Sequence, residues 1–286
     1  MIASTLAANA EDVSGHGDLA KGPWLSENHR KVFGKSAAAP VYFPSNVGSW
    51  LIELLNKRAA PSLDIYEFGV YTGSRMREFA RKVRGFGRMW GFDSFTGFPD
   101  ETQGVWTPNK HWAQGGNSAS DAMRLWDKEQ LFRKLRARIG YEKTVFIAGY
   151  YNESLSPQLR AQRPFAPALI VDLDCDLYVS TVQALRWVFA SGLVLPGITL
   201  FRYDDWPGNA TQLTVRDRNR YRKLGRKPPP EVWGQMKSHI DVTGEFQIEW
   251  RRLNRNVFQV ASLGQRATSA LDASSSEASC LTKPCW

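Results

Sequence analysis

The stretch LDIYEFGVYTGSRMREFA, residues 63–80, decides the fold. It begins with a short apolar run that is typical of a buried strand, and it ends with apolar residues at the spacing of an amphipathic helix. Gly69 and Gly73 lie between the two, where glycine allows a sharp turn and a close approach of the backbone to a ligand. The stretch therefore predicts a strand, a tight turn and a helix, with Glu67 as the first candidate functional side chain.

The same alternation of strand-like and helix-like runs continues through most of the chain. Four more apolar runs predict strands, namely RMWGFDSF, TVFIAGYY, PALIVDLDCD and GITLFRYDDW. Two further runs on either side of NRN, within residues 245–262, predict an antiparallel hairpin. Repeated strand–helix–strand units favour a parallel sheet that is covered by helices on both faces. We therefore expect an α/β, doubly wound, mostly parallel seven-stranded sheet with a C-terminal antiparallel hairpin.

Composition divides the chain into three parts. Residues 1–43 are rich in Ala, Ser and Gly and weakly patterned, so we expect a flexible N-terminal arm, and residues 263–286 are Ser/Ala-rich, so we expect a disordered tail. Residues 44–262 carry the strand–helix pattern of a single domain. Within it, residues 97–120 have no period but are rich in Gly, Pro, Trp and Asn. A connection of this length is typically functional, so we expect a lid over an active site.

The totals exclude several classes of protein. A hydrophobic content of 43% is enough for a globular core and argues against global disorder. Three cysteines are too few for a disulfide framework, which favours a reduced, cytoplasmic compartment. The N-terminus lacks the basic start and apolar stretch of a secretory signal. The most apolar window is interrupted by Arg, Gly and Pro, so no membrane span is expected.

The net charge of +9 is concentrated in one stretch. Residues 216–230, RDRNRYRKLGRKPPP, hold seven basic residues between positions 216 and 227, and one acidic residue. One interpretation is a solvated helix face that ends in a proline-rich turn. The other is a patch that binds an acidic or phosphorylated substrate, or RNA.

Acidic residues follow the predicted strands. Glu67, Asp93, Asp174 and Asp204 each lie at or just past the carboxyl end of a strand. In parallel α/β sheets these ends share one edge, and ligands bind there. The glycine-rich motif of a dinucleotide site, G-x-G-x-x-G, is absent after the first strand, and an acidic residue stands two positions before Gly69. That arrangement suits a cationic ligand better than a phosphate.

Asp93 supports the interpretation that a ligand binds at this edge of the sheet. It lies twenty residues after Gly73, at the end of the next predicted strand. An acidic side chain at this position typically binds the two ribose hydroxyls of an adenosine. The alternative is an Asx-turn or helix cap within the sequence DSFTG.

Asp172, Asp174 and Asp176 alternate along the fourth predicted strand. If the strand continued through all three, they would share one buried face and repel one another. We therefore expect the strand to end near Asp174. Asp204 and Asp205 follow the fifth strand, and carboxylates from two strand ends suit a hard cation such as Mg²⁺. The alternative is that these residues only cap helices and carry surface charge.

Several of these motifs together resemble a known family. The segments YEFGVYTG, WGFDSFTGFPD, AGYYNESL, DLDCDLYVSTVQAL and LPGITLFRYDDW occur in the order and approximate spacing of macrocin-type O-methyltransferases. These are S-adenosylmethionine-dependent enzymes of the class I methyltransferase fold, which is Rossmann-like. The resemblance covers about residues 44–262. Its glycine motif is shared across class I methyltransferases, whereas the two aspartate-containing motifs are more specific.

The resemblance implies which residues bind the cofactor. Glu67, Gly69, Tyr71 and Gly73 would surround the methionine end and the sulfonium of S-adenosylmethionine. Asp93, with Ser94 beside it, would bind the ribose.

The resemblance also implies a metal site and a base. Asp174, Asp204 and Asp205 would hold Mg²⁺, and Asp176 would act as general base, with His111 in the lid as an alternative base. The chain departs from the family at two positions near this site, where Cys175 stands between two aspartates and Arg202 lies on the strand before Asp204.

The resulting expectation is a Mg-dependent O-methyltransferase that acts on a hydroxyl of a small molecule, such as a sugar or natural product. Trp106, Trp112 and Trp206 are candidates to line the acceptor pocket, since aromatic faces stack on sugars and rings. One alternative is a metal-dependent glycosyltransferase that uses Asp174 and Asp176 as a D-x-D motif. Another is an RNA or DNA methyltransferase that uses residues 216–227, although a nucleic-acid partner is not the favoured interpretation. A homo-oligomer is compatible with each of these three interpretations.

Overall fold

The computed structural model describes residues 48–100, 113–206, 230–254 and 256–264, with residues 230–233 described only as backbone. Several predictions therefore lie outside the described residues. These are the flexible arm over 1–43, most of the disordered tail over 263–286, the centre of the lid and the basic run 216–227.

The described residues form one seven-stranded sheet. Its strands are β1 Asp64–Phe68, β2 Met89–Asp93, β3 Thr144–Ala148, β4 Ala168–Leu173, β5 Leu200–Tyr203, β6 Glu249–Arg252 and β7 Val257–Ser262. The spatial order is β3-β2-β1-β4-β5-β7-β6, in which β1 to β5 are parallel and β7 is antiparallel to both of its neighbours. The predicted mostly parallel sheet with a C-terminal hairpin is confirmed. It is also the sheet that the class I methyltransferase fold requires.

Helices connect the strands in the predicted alternation. They are α1 Ser49–Arg58, α2 Ser74–Lys82, α3 Ala119–Met123, α4 Lys128–Ile139, α5 Tyr151–Ser154, α6 Pro157–Gln162, α7 Tyr178–Ala190 and α8 Pro230–Phe246. Capping explains two of the boundaries. Asp127 accepts a hydrogen bond from the Gln130 amide at the start of α4, and Gly140 ends that helix with a φ of 72°.

Alternation along each strand divides the core into two layers. In β1, Tyr66 and Phe68 pack in one cluster with α7 and α8, whereas Ile65 packs in the other with α1, α2 and α4. The strand is buried along its whole length, as a central parallel strand with helices on both faces must be. The doubly wound arrangement that the sequence predicted is therefore confirmed.

A buried carboxylate holds the amino ends of three strands together. Asp64 accepts hydrogen bonds from the Arg88 amide at 2.6 Å, from Trp90 Nε1 at 2.7 Å and from the Ala166 amide at 3.1 Å. Arg88 lies just before β2, Trp90 lies within it, and Ala166 lies just before β4. These two strands flank β1 in the sheet. Asp64 is buried, and its bond to Trp90 Nε1 satisfies a buried donor, whereas the bonds to the Arg88 and Ala166 amides are part-buried.

Replacing Asp64 should show how much the sheet depends on this carboxylate. We expect Asp64→Ala to lower the free energy of unfolding by about 2 to 4 kcal/mol, because it removes three hydrogen bonds and leaves the buried Trp90 Nε1 unsatisfied. The measurement is equilibrium unfolding in denaturant. Asp100→Ala removes an exposed carboxylate of the same type and should change stability by no more than about 0.5 kcal/mol. Equal losses in the two variants would contradict the assignment.

Candidate functional site

A pocket of about 360 Å³ opens at the carboxyl edge of the parallel strands. It is lined by residues that follow β1, β2, β3 and β4, which is the edge where the sequence placed the acidic residues. Of the predicted site residues, the pocket lining includes Glu67, Gly69, Tyr71, Asp93, Ser94, Asp174 and Asp176. Gly73, Asp204 and Asp205 are not among the described residues that line it.

The turn after β1 passes unusually close to the end of β4. The Asp174 amide donates to the Phe68 carbonyl at 2.9 Å, and the Gly69 amide donates to the Phe92 carbonyl at 2.9 Å. A Cβ on Gly69 would lie 1.8 Å from the Asp174 carbonyl oxygen, and the φ of Gly69 is +94°. Glycine is required here for both reasons. Gly73 serves a different purpose, since it precedes α2 with a left-handed φ of 73°.

Asp93 is fixed by the same turn. Its Oδ2 accepts from the Tyr71 amide at 2.8 Å, and its Oδ1 accepts from the Phe95 amide at 2.7 Å. The second bond is the Asx-turn that the sequence offered as an alternative, so Asp93 both forms this turn and lines the pocket. Burial raises the pKa of Asp93, and the backbone hydrogen bonds act in the opposite direction. Ser94 donates its hydroxyl to the Gly97 carbonyl at 2.6 Å.

Glu67 is the most exceptional side chain of the site. It is fully buried within β1, between Gly91 on β2 and Asp172 on β4. Neither carboxyl oxygen has a hydrogen-bond partner among the described residues. Burial first, and then the Asp172 and Asp174 carboxylates, raise the pKa of Glu67 well above its usual value. A buried carboxyl without a partner is costly, and a cationic group in the adjoining pocket would offset that cost.

The strand-end aspartates meet, but they meet around arginines. Arg75, at the start of α2, places Nη2 2.7 Å from Asp204 Oδ1 and 4.0 Å from Asp174 Oδ2. Arg202 on β5 places Nη1 2.7 Å from Asp172 Oδ1 and also bonds Asp204. Asp172 is therefore a buried ion-pair partner of Arg202. β4 ends at Leu173, so the prediction that the strand stops before the later aspartates is confirmed.

Asp205 is joined to α8 through its backbone amide. Its amide donates to Gln235 Oε1 at 3.1 Å, and Gln235 Nε2 donates to the Leu173 carbonyl at 3.2 Å, so one amide side chain joins the ends of β4 and β5. Burial, followed by the Asp204 charge, raises the pKa of Asp205 to about 6. A hydrogen bond with Asp176 acts in the opposite direction. Asp176 itself has a φ of +55° in the loop after β4.

The predicted Mg²⁺ site does not fit this arrangement. Among the described residues, no group of three or more His, Cys, Asp or Glu side chains is placed to hold a metal ion. Asp204 is already bound to two guanidinium groups, and Asp174 lies 4.0 Å from one of them, whereas the contact between Asp205 and Gln235 involves only the Asp205 backbone amide. The D-x-D interpretation meets the same difficulty, because Arg75 lies within 4.0 Å of Asp174.

Four other residues were predicted to act as a base or to line the acceptor pocket, and the structure describes only one of them. His111, Trp106 and Trp112 lie outside the described residues, so their proposed roles as base and acceptor contacts stay predictions. Trp206 is 2% exposed and packs in the core, with its ring 4.9 Å from that of Tyr203 and 4.7 Å from that of Phe258. It is not among the described residues that line the pocket, so the acceptor-pocket role suggested for it is wrong.

Sequence reasoning missed Arg75. A signal was present, because a basic residue in the first turn of a helix is disfavoured by the helix dipole and so indicates a compensating partner. The identity of that partner was not visible in the sequence, since Asp204 is 129 positions away.

Comparisons with known proteins were made for the whole chain. It matches no protein-family model and no curated protein. Among solved structures, the calicheamicin methyltransferase CalS11 is 17% identical, with 90% of this chain and 91% of that chain covered and a TM-score of 0.49. An O-methyltransferase from Bacillus cereus in complex with SAH is 14% identical, with 92% and 100% covered and a TM-score of 0.42.

A third similar structure is the O-methyltransferase TomG from Streptomyces achromogenes in complex with SAM, which is 17% identical over 85% of this chain and 91% of that chain, with a TM-score of 0.41. At these identities and TM-scores the similarities carry no conclusion about activity. The fold is established by the strand order and direction described above. Within the described parts of the chain, no helix has the length and apolar character needed to cross a membrane.

The close approach at Gly69 gives a direct test of the site. We expect Gly69→Ala to destabilise the protein by about 2 to 5 kcal/mol, from about 1–2 kcal/mol for a left-handed φ and about 1–3 kcal/mol for the clash with Asp174. Gly85→Ala is the matched control, because Gly85 has a φ of +79° and open space where a Cβ would stand. The control should lose only about 1–2 kcal/mol in the same thermal or denaturant unfolding measurement. A similar loss in both variants would remove the clash from the explanation.

Proposed function

We propose that the protein is an S-adenosylmethionine-dependent O-methyltransferase that acts on a hydroxyl of a small molecule. One observation carries the proposal, namely the fully buried Glu67 carboxyl, which has no partner among the described residues and lines a pocket beside Gly69. The cofactor has two positive groups, the sulfonium and the α-ammonium, and either would stabilise an ionised Glu67.

The rest of the pocket fits the other parts of the same cofactor. Asp93 presents a carboxylate whose orientation is fixed by two backbone amides, and this suits the two ribose hydroxyls. Phe98 and Tyr150 also line the pocket, and their rings suit a planar base. The turn at Gly69 lets the backbone come close to the ligand. When bound, the cofactor supplies an electrophilic methyl group on sulfur.

The chain's own residues then have to position an acceptor and remove its proton. An acceptor hydroxyl oxygen would form a bond to the methyl carbon as the carbon–sulfur bond breaks, in line. The proton would pass to a carboxylate, and Asp176 is the proposed base because it lines the pocket next to Asp174. We propose no Mg²⁺ in this reaction, because Asp204 is bound to two guanidinium groups and Asp174 lies 4.0 Å from one of them.

A second candidate function has less support. A D-x-D glycosyltransferase would need Asp174 and Asp176 to share a metal, yet Asp174 lies beside Arg75 and Asp176 bonds Asp205. The nucleic-acid alternative depends on residues 216–227, which lie outside the described residues.

The proposal is tested first by binding. Isothermal titration with S-adenosylmethionine and S-adenosylhomocysteine should give saturable binding, and both ligands should raise the melting temperature by mass action. UDP-glucose serves as the comparison ligand for the glycosyltransferase alternative. Turnover is then followed with methyl-labelled cofactor against hydroxylated small molecules, RNA and DNA in parallel. Absence of cofactor binding, or transfer of label only to nucleic acid, would overturn the proposal.

Asp93 should contribute to affinity without being required for folding. We expect Asp93→Ala to weaken S-adenosylmethionine binding by about 1.5 to 3 kcal/mol, roughly 10- to 150-fold, the usual value of hydrogen bonds to a charged group. Asp127→Ala removes a carboxylate that caps α4 and should leave the dissociation constant unchanged while lowering stability. An unaltered dissociation constant in Asp93→Ala would exclude this residue from the cofactor site.

Glu67 should make cofactor binding depend on pH. Its pKa is raised in the free protein, and a cationic ligand lowers it, so binding releases a proton and affinity should rise with pH between the bound and free pKa values. In Glu67→Gln the rise should be shallower, since that proton is lost, whereas the exposed Glu142→Gln should behave as the parent protein does. The measurement is the dissociation constant from mildly acidic to mildly alkaline pH. Identical slopes in all three proteins would refute the role of Glu67.

A further inference from the structure

Arg75 joins the carboxylates of two strand ends. Its Nη2 lies 2.7 Å from Asp204 Oδ1 and 4.0 Å from Asp174 Oδ2, and its Nε lies 3.7 Å from Asp172 Oδ2. The side chain is 11% exposed, and it lines the pocket. One guanidinium thus contacts two of the three aspartates that sequence reasoning assigned to a divalent ion.

A second cation supports the first. Arg202 on β5 is 5% exposed and pairs with Asp172 at 2.7 Å while also bonding Asp204. Although burial alone would lower the pKa of Arg202, the Asp172 and Asp204 carboxylates raise it, so the group stays charged. A divalent ion between Asp174 and Asp204 would therefore be placed beside two fixed positive charges, which repel it.

The position of Arg75 in its helix is informative. It is the second residue of α2, where the positive end of the helix dipole disfavours a cation. Its charge is compensated across the sheet edge, and by Glu78 on the same helix at 3.7 Å. A residue that is unfavourable at this position of its helix, and whose shortest ion pair reaches a distant strand end, has a role at that strand end.

We propose that Arg75 is a built-in cation that takes the place of a divalent ion at this edge, holding Asp174 and Asp204 in position for the site. Arg75 is a positioning residue, because it acts through the two aspartates. Unlike a bound metal ion, its guanidinium keeps its charge and is not removed by a chelator. The protein then needs no added metal. The inference concerns the site of the proposed methyltransferase and rests on that function only for its activity readout.

The first measurement is a metal titration that requires no cofactor. The melting temperature of the parent protein should be the same with excess Mg²⁺, with Mn²⁺ and with EDTA. In Arg75→Ala, Asp174 loses the guanidinium that lies 4.0 Å away, and Asp172 and Asp204 keep only Arg202, so Mg²⁺ and Mn²⁺ should raise the melting temperature in a saturable manner. Electron paramagnetic resonance measures independently how many Mn²⁺ ions bind to each protein molecule.

Three further variants separate charge from packing. Arg75→Lys keeps a cation and should stay insensitive to metal, whereas Arg75→Gln removes the charge more conservatively and replaces Arg75→Ala if the latter does not fold. Arg77→Ala removes a positive charge from the same helix and should give no metal response. The double variant Arg75→Ala, Asp204→Ala should lose the response, which would place the ion at this edge.

Two results would overturn the inference. One is saturable binding of Mg²⁺ or Mn²⁺ by the parent protein, and the other is an uncharged Arg75 variant that folds and shows no metal response. The activity readout is turnover with and without EDTA, which should be equal in the parent protein. If S-adenosylmethionine does not bind, the proposed function fails, but the metal titrations still decide the role of Arg75.

Discussion

Burial of acidic side chains at a single edge of the sheet is the constraint on which the site depends. Glu67, Asp172, Asp174, Asp204 and Asp205 all lie in or directly after β1, β4 or β5. Burial, followed by neighbouring carboxylates, raises the pKa of Glu67, Asp174 and Asp205. Arg75 and Arg202 compensate part of this charge. The remaining surplus is negative and faces the pocket through Glu67, so the edge favours a cationic ligand. The stability of the edge and its binding preference therefore have the same electrostatic origin.

Backbone geometry brings these groups together. The turn after β1 contacts the end of β4 at Gly69 and the end of β2 at Asp93, which accepts the Tyr71 amide. Because strand ends and short turns are rigid, the pocket is shaped largely by backbone and by side chains that are already hydrogen-bonded. Gln235 extends the same principle to α8 by joining the ends of β4 and β5.

The arginines change the chemical interpretation of the aspartates. Asp174, Asp204 and Asp205 have the spacing of carboxylates that converge from two strand ends, and either a divalent ion or a guanidinium satisfies such a set. In this chain Asp204 binds both Arg75 and Arg202, while Asp205 is joined to Gln235 through its backbone amide. In the proposed reaction, removal of the acceptor proton would depend on a carboxylate in the pocket, and Asp176 is the proposed base.

Local patterns in the sequence determined the sheet, its helices and the edge where the site lies. Apolar runs, helical spacing and glycines act over a few residues, so β1, the turn at Gly69 and the hairpin of β6 and β7 were predictable. The same rule predicted that Glu67, Asp93, Asp174 and Asp204 meet at one edge. The first three line the pocket, whereas Asp204 is not among the described residues that line it. Tertiary structure alone decided the partners: Asp204 pairs with Arg75 across 129 positions, and Trp206 packs into the core away from the pocket. Ion pairs and ring contacts depend on distances between elements that are remote in sequence, and no local periodicity records those distances.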